Sequence, residues 1–190
     1  MNAPEQGRGR LQLTLIALVF FGPLIVAAWM YMTGSLTPPG RSNYGVLLDP
    51  VVAIAATLPD SPLVTIVDGS WVMLYANDGP CADACREALY KIRQTRQMLG
   101  RDRDRVRQVF LHGETAPDRV LAESELPGLI TTSDRALAGM LAGRLPEGTM
   151  PGGIFLIDPL ANLVLYFPPD LDPRLMVDDM KHLLRLSRIG

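Results

Sequence analysis

Residues 13–32, LTLIALVFFGPLIVAAWMYM, carry no charged side chain, and this run sets the first limit on how the chain can fold. Twenty residues rising about 1.5 Å each cover roughly 30 Å, the hydrocarbon thickness of a bilayer. Trp29 and Tyr31 stand at its C-terminal end, where membrane helices place an aromatic belt. Pro23 falls near the middle and predicts a kink, which membrane helices tolerate. A cleaved signal sequence is the rival reading, but its apolar core usually spans about 7–15 residues and ends at a small-x-small site. This run ends in Trp29-Met30-Tyr31-Met32, so the sequence predicts an uncleaved single-pass anchor. Arg8 and Arg10 precede it, and Arg41 is the first charge after it. The positive-inside rule then keeps the N-terminus in the cytoplasm and puts residues 34–190 outside.

The remainder has room for one domain of ordinary size. With 18 Lys and Arg against 20 Asp and Glu, the chain lacks the basic excess of a general nucleic-acid binder. No phosphate-cradling glycine loop, metalloprotease motif or serine triad is visible in the sequence. Residues 1–33 read as cytoplasmic N-terminus and transmembrane anchor. Residues 34–62, rich in Pro, Gly and Ser, read as a linker with one short strand at Tyr44-Gly45-Val46-Leu47-Leu48. Residues 63–190 read as the folded domain.

Within that domain, residues 63–67 alternate and are β-branched, which predicts a strand before the Asp68-Gly69 turn. Residues 71–75 are apolar throughout, as in a strand buried on both faces. Residues 81–99 follow a helical period through Cys85, Leu89, Ile92 and Leu99, and Gly100 is the expected stop. Strands follow at 106–111 and 129–131, with a helix near 134–144. Residues 154–157 and 163–166 bracket a loop as a hairpin, and residues 172–186 form a last amphipathic helix. The order β-α-β-α-β-β-α makes this an α/β chain with a mixed sheet flanked by helices. Trp71 and Tyr75 are expected in the core. His112 is expected to be a hydrogen-bonded structural residue, His182 a solvent-facing one, and the arginine-rich stretch 93–107 a solvated helix end and loop.

Cys81 and Cys85 are the only cysteines, and they sit where the strand of residues 71–75 gives way to the helix. A thiol pair at a helix N-terminus can exchange electrons as dithiol and disulfide, or hold a soft metal. Cys85 lies on the apolar face and Cys81 one turn nearer the N-terminus, so Cys81 is the accessible partner. Positions i and i+4 of a regular helix hold their Cβ atoms about 5–6 Å apart, whereas a disulfide wants about 3.5–4.5 Å. The bond therefore requires Cys81 to stay in the non-helical cap after Gly79-Pro80. The helix N-terminus favours the Cys81 thiolate; Asp78 and Asp83 oppose it.

This order, with the cysteine pair opening the first helix, resembles a thioredoxin-like fold. The resemblance extends to Met150-Pro151 in Gly148-Thr149-Met150-Pro151-Gly152-Gly153-Ile154. There the fold places a proline that is usually cis and faces the cysteines, which makes Pro151 the cis-proline candidate. The Cys-x-x-x-Cys spacing, the single anchor and Leu156-Ile157-Asp158-Pro159 together resemble the Sco/SenC family of cytochrome oxidase assembly proteins. That family delivers copper to the copper-binding subunit of cytochrome oxidase, or reduces its cysteines. The resemblance implies a bacterial inner-membrane protein with its domain in the periplasm. It implies as partner that oxidase subunit or another assembly factor.

Three departures stand out. Ala82 and Arg86 occupy positions where the family carries prolines, and Met150 falls where it carries a ligating histidine. Cys81, Cys85 and Met150 are then the candidate copper ligands, a soft set suited to Cu(I); the alternative is no metal at all. For function, the alternatives are a general periplasmic thiol–disulfide oxidoreductase without copper, and a non-catalytic assembly scaffold.

Overall fold

The computed structural model describes residues 5–33, 43–115 and 126–187, with side chains placed from residue 12 onward except at 14 and 31. The chain divides into two compact units, Met1–Arg41 and Ser42–Gly190.

Among its described residues the first unit holds one helix, α1 (Glu5–Met32), 28 residues long with Pro23 inside it. Most of its described apolar side chains, among them Leu13, Phe20, Ile25 and Met32, lie exposed. Among the described residues no helix is long and apolar enough to cross a membrane.

The second unit contains β1 (Val46–Ala53), α2 (Ile54–Thr57), α3 (Pro62–Val67), β2 (Trp71–Asn77) and α4 (Asp83–Met98). A 3-10 turn at Gly100–Arg105 then leads to β3 (Val106–His112), β4 (Leu129–Thr132) and α5 (Arg135–Ala142). β5 (Ile154–Ile157), β6 (Asn162–Phe167) and α6 (Pro173–Leu186) complete it. The six strands form one mixed sheet in the order β1-β6-β5-β2-β3-β4. β2, β3 and β4 are parallel neighbours, whereas β5 runs antiparallel to β2, β6 to β5 and β1 to β6.

Period-two alternation sends successive side chains to opposite faces of a strand, and β2 is filled on both. Trp71, Met73 and Tyr75 join one core with Cys85, Leu89 and Ile92 of α4 and Met176, Met180 and Leu184 of α6. Val72 and Leu74 join the other, with Ile54, Leu63, Val67, Leu137 and Leu141 from α2, α3 and α5. Each such apolar side chain contributes about 1.5–3 kcal/mol when fully buried, so a one-residue slip of β2 would forfeit both layers together.

Two expectations are corrected here. Residues 63–67 are helical, not a strand. Ser61 caps α3 by accepting the Leu63 N–H, Pro62 occupies the first turn, and Asp68 ends the helix in the left-handed region at φ 36°. Leu63 and Val67, four apart, are its buried face. The folded unit also starts at Ser42 rather than at residue 63. β1 supplies Leu48 and Val52 to the core and pairs with β6, so most of the expected linker belongs to the domain.

Asp179 of α6 fastens that entry segment. It is buried at 3% exposure, and its carboxylate accepts the Tyr44 N–H at 3.0 and 2.9 Å and the Gly45 N–H at 2.8 Å. Arginines of the stretch 93–107 play similar parts rather than only facing water. Arg96 Nε donates to the Val106 carbonyl at 2.7 Å, Arg105 to those of Leu184 and Ser187 at 3.0 and 2.8 Å, and Arg107 to that of Ile66 at 2.7 Å.

Replacing Asp179 by Ala leaves the buried Gly45 amide and the half-buried Tyr44 amide without this acceptor. It should lower unfolding stability by about 3 kcal/mol, with Asp179→Asn losing less because it keeps an acceptor. Chemical denaturation of the two variants measures the difference.

Candidate functional site

The parallel strand β2 ends at Asn77, on the rim of the sheet, and the chain turns there through Asp78-Gly79-Pro80 into the cysteines. Asn77 secures the turn: its side-chain amide donates to the Gly79 carbonyl at 2.8 Å, and its own carbonyl accepts the Gly113 N–H at 3.1 Å. Gly113, just past the end of β3, sits so close that a Cβ there would lie 2.5 Å from the Asp78 carbonyl oxygen and 2.9 Å from its Cα. Only a glycine lets the two loops touch.

Cys81 and Cys85 form a disulfide with a Cα–Cα distance of 5.1 Å. α4 begins at Asp83 behind an extended N-cap, Ala82, which provides no side-chain cap. Cys81 is therefore outside the helix, the condition the spacing imposed. Cys85 is buried at 3% exposure, while Cys81 is half-buried and packs against the same core. The first N–H groups of α4 have no intrahelical acceptor, and Ala82 cannot satisfy them. They remain available to stabilise a thiolate formed at this end.

The loop at residues 150–153 crosses the same rim. Tyr166 of β6, fully buried, braces it: its hydroxyl donates to the Met150 carbonyl at 2.6 Å and accepts the Gly153 N–H at 2.8 Å. A Cβ on Gly153 would run into the Phe167 carbonyl and the Tyr166 ring, so this close approach also requires glycine. Burial pushes the Tyr166 phenol above its ordinary value, partly offset by the Gly153 hydrogen bond. Burial alone raises that of Tyr75.

Pro151, Gly152 and Gly153 wall two small clefts at this rim. One faces Ala84 and Ala88 of α4; the other faces Asn77, Asp78 and the α5 side. Pro151 thus stands across from the helix that opens at the cysteines. The cis peptide found among the described residues is Asp49–Pro50, so the Met150–Pro151 bond is not the expected cis one. Gly152, at φ +89°, and Gly153 separate Pro151 from β5, so the proline does not begin the strand.

Met150 directs its side chain to solvent, 54% exposed. Among the described residues no group of three or more His, Cys, Asp and Glu could hold a metal ion. His112 is half-buried with Nδ1 2.8 Å from the Gly113 carbonyl oxygen, and His182 is exposed on α6. With both sulfurs bonded to each other, this oxidised form has no thiolate for copper; only the reduced pair offers two. Asn77, Gly113 and Tyr166 were not singled out by the sequence, because their roles arise from contacts between distant loops.

A mixed sheet with helices on both faces and a disulfide opening the helix after a central strand defines a thioredoxin-like protein. The chain belongs to the family described as "Transmembrane-like, thioredoxin-like, C-terminal domain", which matches residues 71–187. A second family, "Transmembrane-like, N-terminal domain", matches residues 4–34. No curated protein matches the chain. Among solved structures, copper-bound ScoI of Arabidopsis thaliana is similar at 19% identity and a TM-score of 0.49, over 65% of this chain and 89% of that one. Apo Sco1 of Thermus thermophilus is similar at 20% identity and 0.49, over 63% and 83%. Copper-bound yeast Sco1 is similar at 16% identity and 0.48, over 65% and 80%.

Gly113→Ala should force the Asp78 turn away from β3 and cost about 1–3 kcal/mol. It should also change the rate at which dithiothreitol opens the Cys81–Cys85 bond. Denaturation and thiol-release kinetics on the variant read the two effects separately.

Proposed function

We propose that the protein is a membrane-tethered thiol–disulfide exchanger whose client is the copper-binding subunit of a cytochrome oxidase. The observation that carries the exchange chemistry is the unequal exposure of the two sulfurs, Cys81 half-open and Cys85 sealed, at an uncapped helix start. A client thiolate attacks Cys81 Sγ, the Cys81–Cys85 bond breaks, and its electron pair leaves on Cys85 Sγ. The client's second thiolate then attacks the client sulfur of the mixed disulfide and releases Cys81 as a thiolate. Two electrons pass from client to chain, and the two protons lost by the client's thiols are matched by two taken up at the cysteines. Run backwards, the reduced pair opens a client disulfide.

The uncharged run at residues 13–32 and the match of residues 4–34 to a transmembrane-like domain support the tether. In this reading the anchor crosses a bacterial inner membrane once and holds the domain in the periplasm. Tethering raises effective concentration beside a membrane-embedded client. The choice of client rests on the Sco/SenC resemblance of the cysteine motif and of Leu156-Ile157-Asp158-Pro159. In the reduced state Cys81 and Cys85, with Met150 as third donor, are the soft set that would hold Cu(I).

A broader oxidoreductase acting on many clients is the second reading. It is favoured by Met150, which stands where the resembled family has its histidine and turns its side chain outward.

Cys81→Ser should abolish exchange in the full chain, and Cys85→Ser should accumulate mixed disulfides at Cys81. One trapped oxidase subunit supports the first reading, many unrelated proteins the second. Oxidase assembly that survives removal of both cysteines would leave only a scaffold role. Titrating the reduced full chain with copper should give a Cu(I) complex and no stable Cu(II) complex; a tight Cu(II) spectrum would refute the three-donor set.

A further inference from the structure

Exposed apolar side chains gather on the side of the domain where the chain enters it. In β1, Leu48 and Val52 point into the core shared with α5, so their neighbours Leu47 and Val51 point the other way. Leu47 pairs with Leu165, whose side chain lies in the core on the α6 side, and both Leu47 and Val51 are exposed. On α6, Asp179, Leu183 and Leu186 stand four and then three residues apart and form one stripe. Leu183 and Leu186 wall a groove of about 290 Å³ with Pro159 and Leu160 of the β5–β6 hairpin and the buried Trp71. Leu160 and Leu186 are 65% and 72% exposed. Apolar side chains clustered in this way, rather than scattered singly, mark a contact surface.

Polar groups at the groove are already engaged. The Asp158 carboxylate accepts the Leu160 and Asn162 N–H groups at 2.9 and 2.8 Å, and the Ser187 carbonyl accepts Arg105 at 2.8 Å. The exposed charges along β1 and α6 balance, with Asp49 and Asp178 against Lys181 and Arg185. The surface thus offers hydrophobic contact rather than a field of one sign.

Chain length says what lies within its reach. The transmembrane-like match ends at residue 34, and Tyr44 and Gly45 are fastened to Asp179, on the same α6 stripe as the two leucines. Residues 34–43 span at most about 30 Å even when fully extended, and a domain of this size has a radius of gyration of about 15 Å. A bilayer that holds the anchor is therefore never more than about one domain's width from this side.

We propose that the face made by Leu47 and Val51 of β1, Leu160 of the hairpin and Leu183 and Leu186 of α6 docks on the phospholipid surface, its leucines entering the headgroup region. Docking uses the tether of the proposed function and none of its exchange chemistry. The groove lies at the start of β2 and the cysteine turn follows its end, about 20 Å further along the strand, so the disulfide stays uncovered while the domain is docked.

The full chain carrying Trp29→Phe, which leaves Trp71 as its only tryptophan, is reconstituted in phosphatidylcholine vesicles with a nitroxide on a fraction of the lipid headgroups. The nitroxide should quench Trp71 emission, and the quenching should persist from about 0.05 to 0.5 M NaCl, because the contact is apolar. Leu160→Glu and Leu186→Glu, both at exposed positions, should each lower the docked-to-free ratio about tenfold. Neither should change the rate at which dithiothreitol reduces the disulfide. Quenching that is absent, that ignores both substitutions or that salt abolishes overturns the proposal. So does a dimer in detergent that Leu186→Glu dissociates, without quenching in vesicles, because a second copy then covers the leucines. Should alkaline carbonate strip the unaltered chain from the vesicles, the tether reading falls by itself. Adding the chain to preformed vesicles of the same composition then judges the face: quenching lost in both Glu variants sustains it, while no quenching, or quenching indifferent to them, overturns it.

Discussion

The burial of β2 on both faces is the constraint on which the rest of the structure depends. Its alternate side chains are divided between two separate cores, so neither register nor depth can change without exposing apolar surface on one side. A strand fixed in that way delivers its C-terminal end, Asn77, to a defined point on the rim. The short turn to Cys81 then leaves little freedom, because Asn77 closes it from within and Gly113 presses on it from β3. The disulfide is placed by packing that begins several residues earlier.

The same rim is built from a second direction. Tyr166 rises from β6 on the α5 side of the sheet and holds the loop at residues 150–153 by its carbonyl and its amide. Tyr75, on the opposite face beside α4, is left with its hydroxyl unspent. Two tyrosines of similar burial thus have different parts. One spends its hydroxyl in shaping the wall, and the other contributes its ring to the core beside α4.

Family membership joins a transmembrane-like N-terminal domain to a thioredoxin-like C-terminal one in a single chain. In the proposed function, such a tether would raise the effective concentration of the domain beside a membrane-embedded client. In the proposed exchange, the unequal burial of Cys81 and Cys85 would leave attack open at one sulfur and keep the other as the leaving group.

The sequence by itself determined the uncharged run, the doubly buried strand, the amphipathic helices and the condition that a Cys81–Cys85 bond needs Cys81 outside the helix; that α4 starts at Asp83 rather than at Cys81 was left to the structure. These follow from local periodicity and from the reach of a covalent bond. It misread residues 63–67, where β-branched composition outweighed the Ser61-Pro62 start signal, and it placed β1 in a linker because an edge strand with Pro50 looks irregular on its own. Tertiary structure alone decided that Asp179 holds Tyr44 and Gly45, that Gly113 meets Asp78, and that Tyr166 braces Met150 and Gly153. It also decided that the Met150–Pro151 bond is not cis. Each of these contacts joins residues far apart along the chain, and no local pattern of hydrophobicity or turn chemistry encodes which distant backbone atoms will lie within hydrogen-bonding reach.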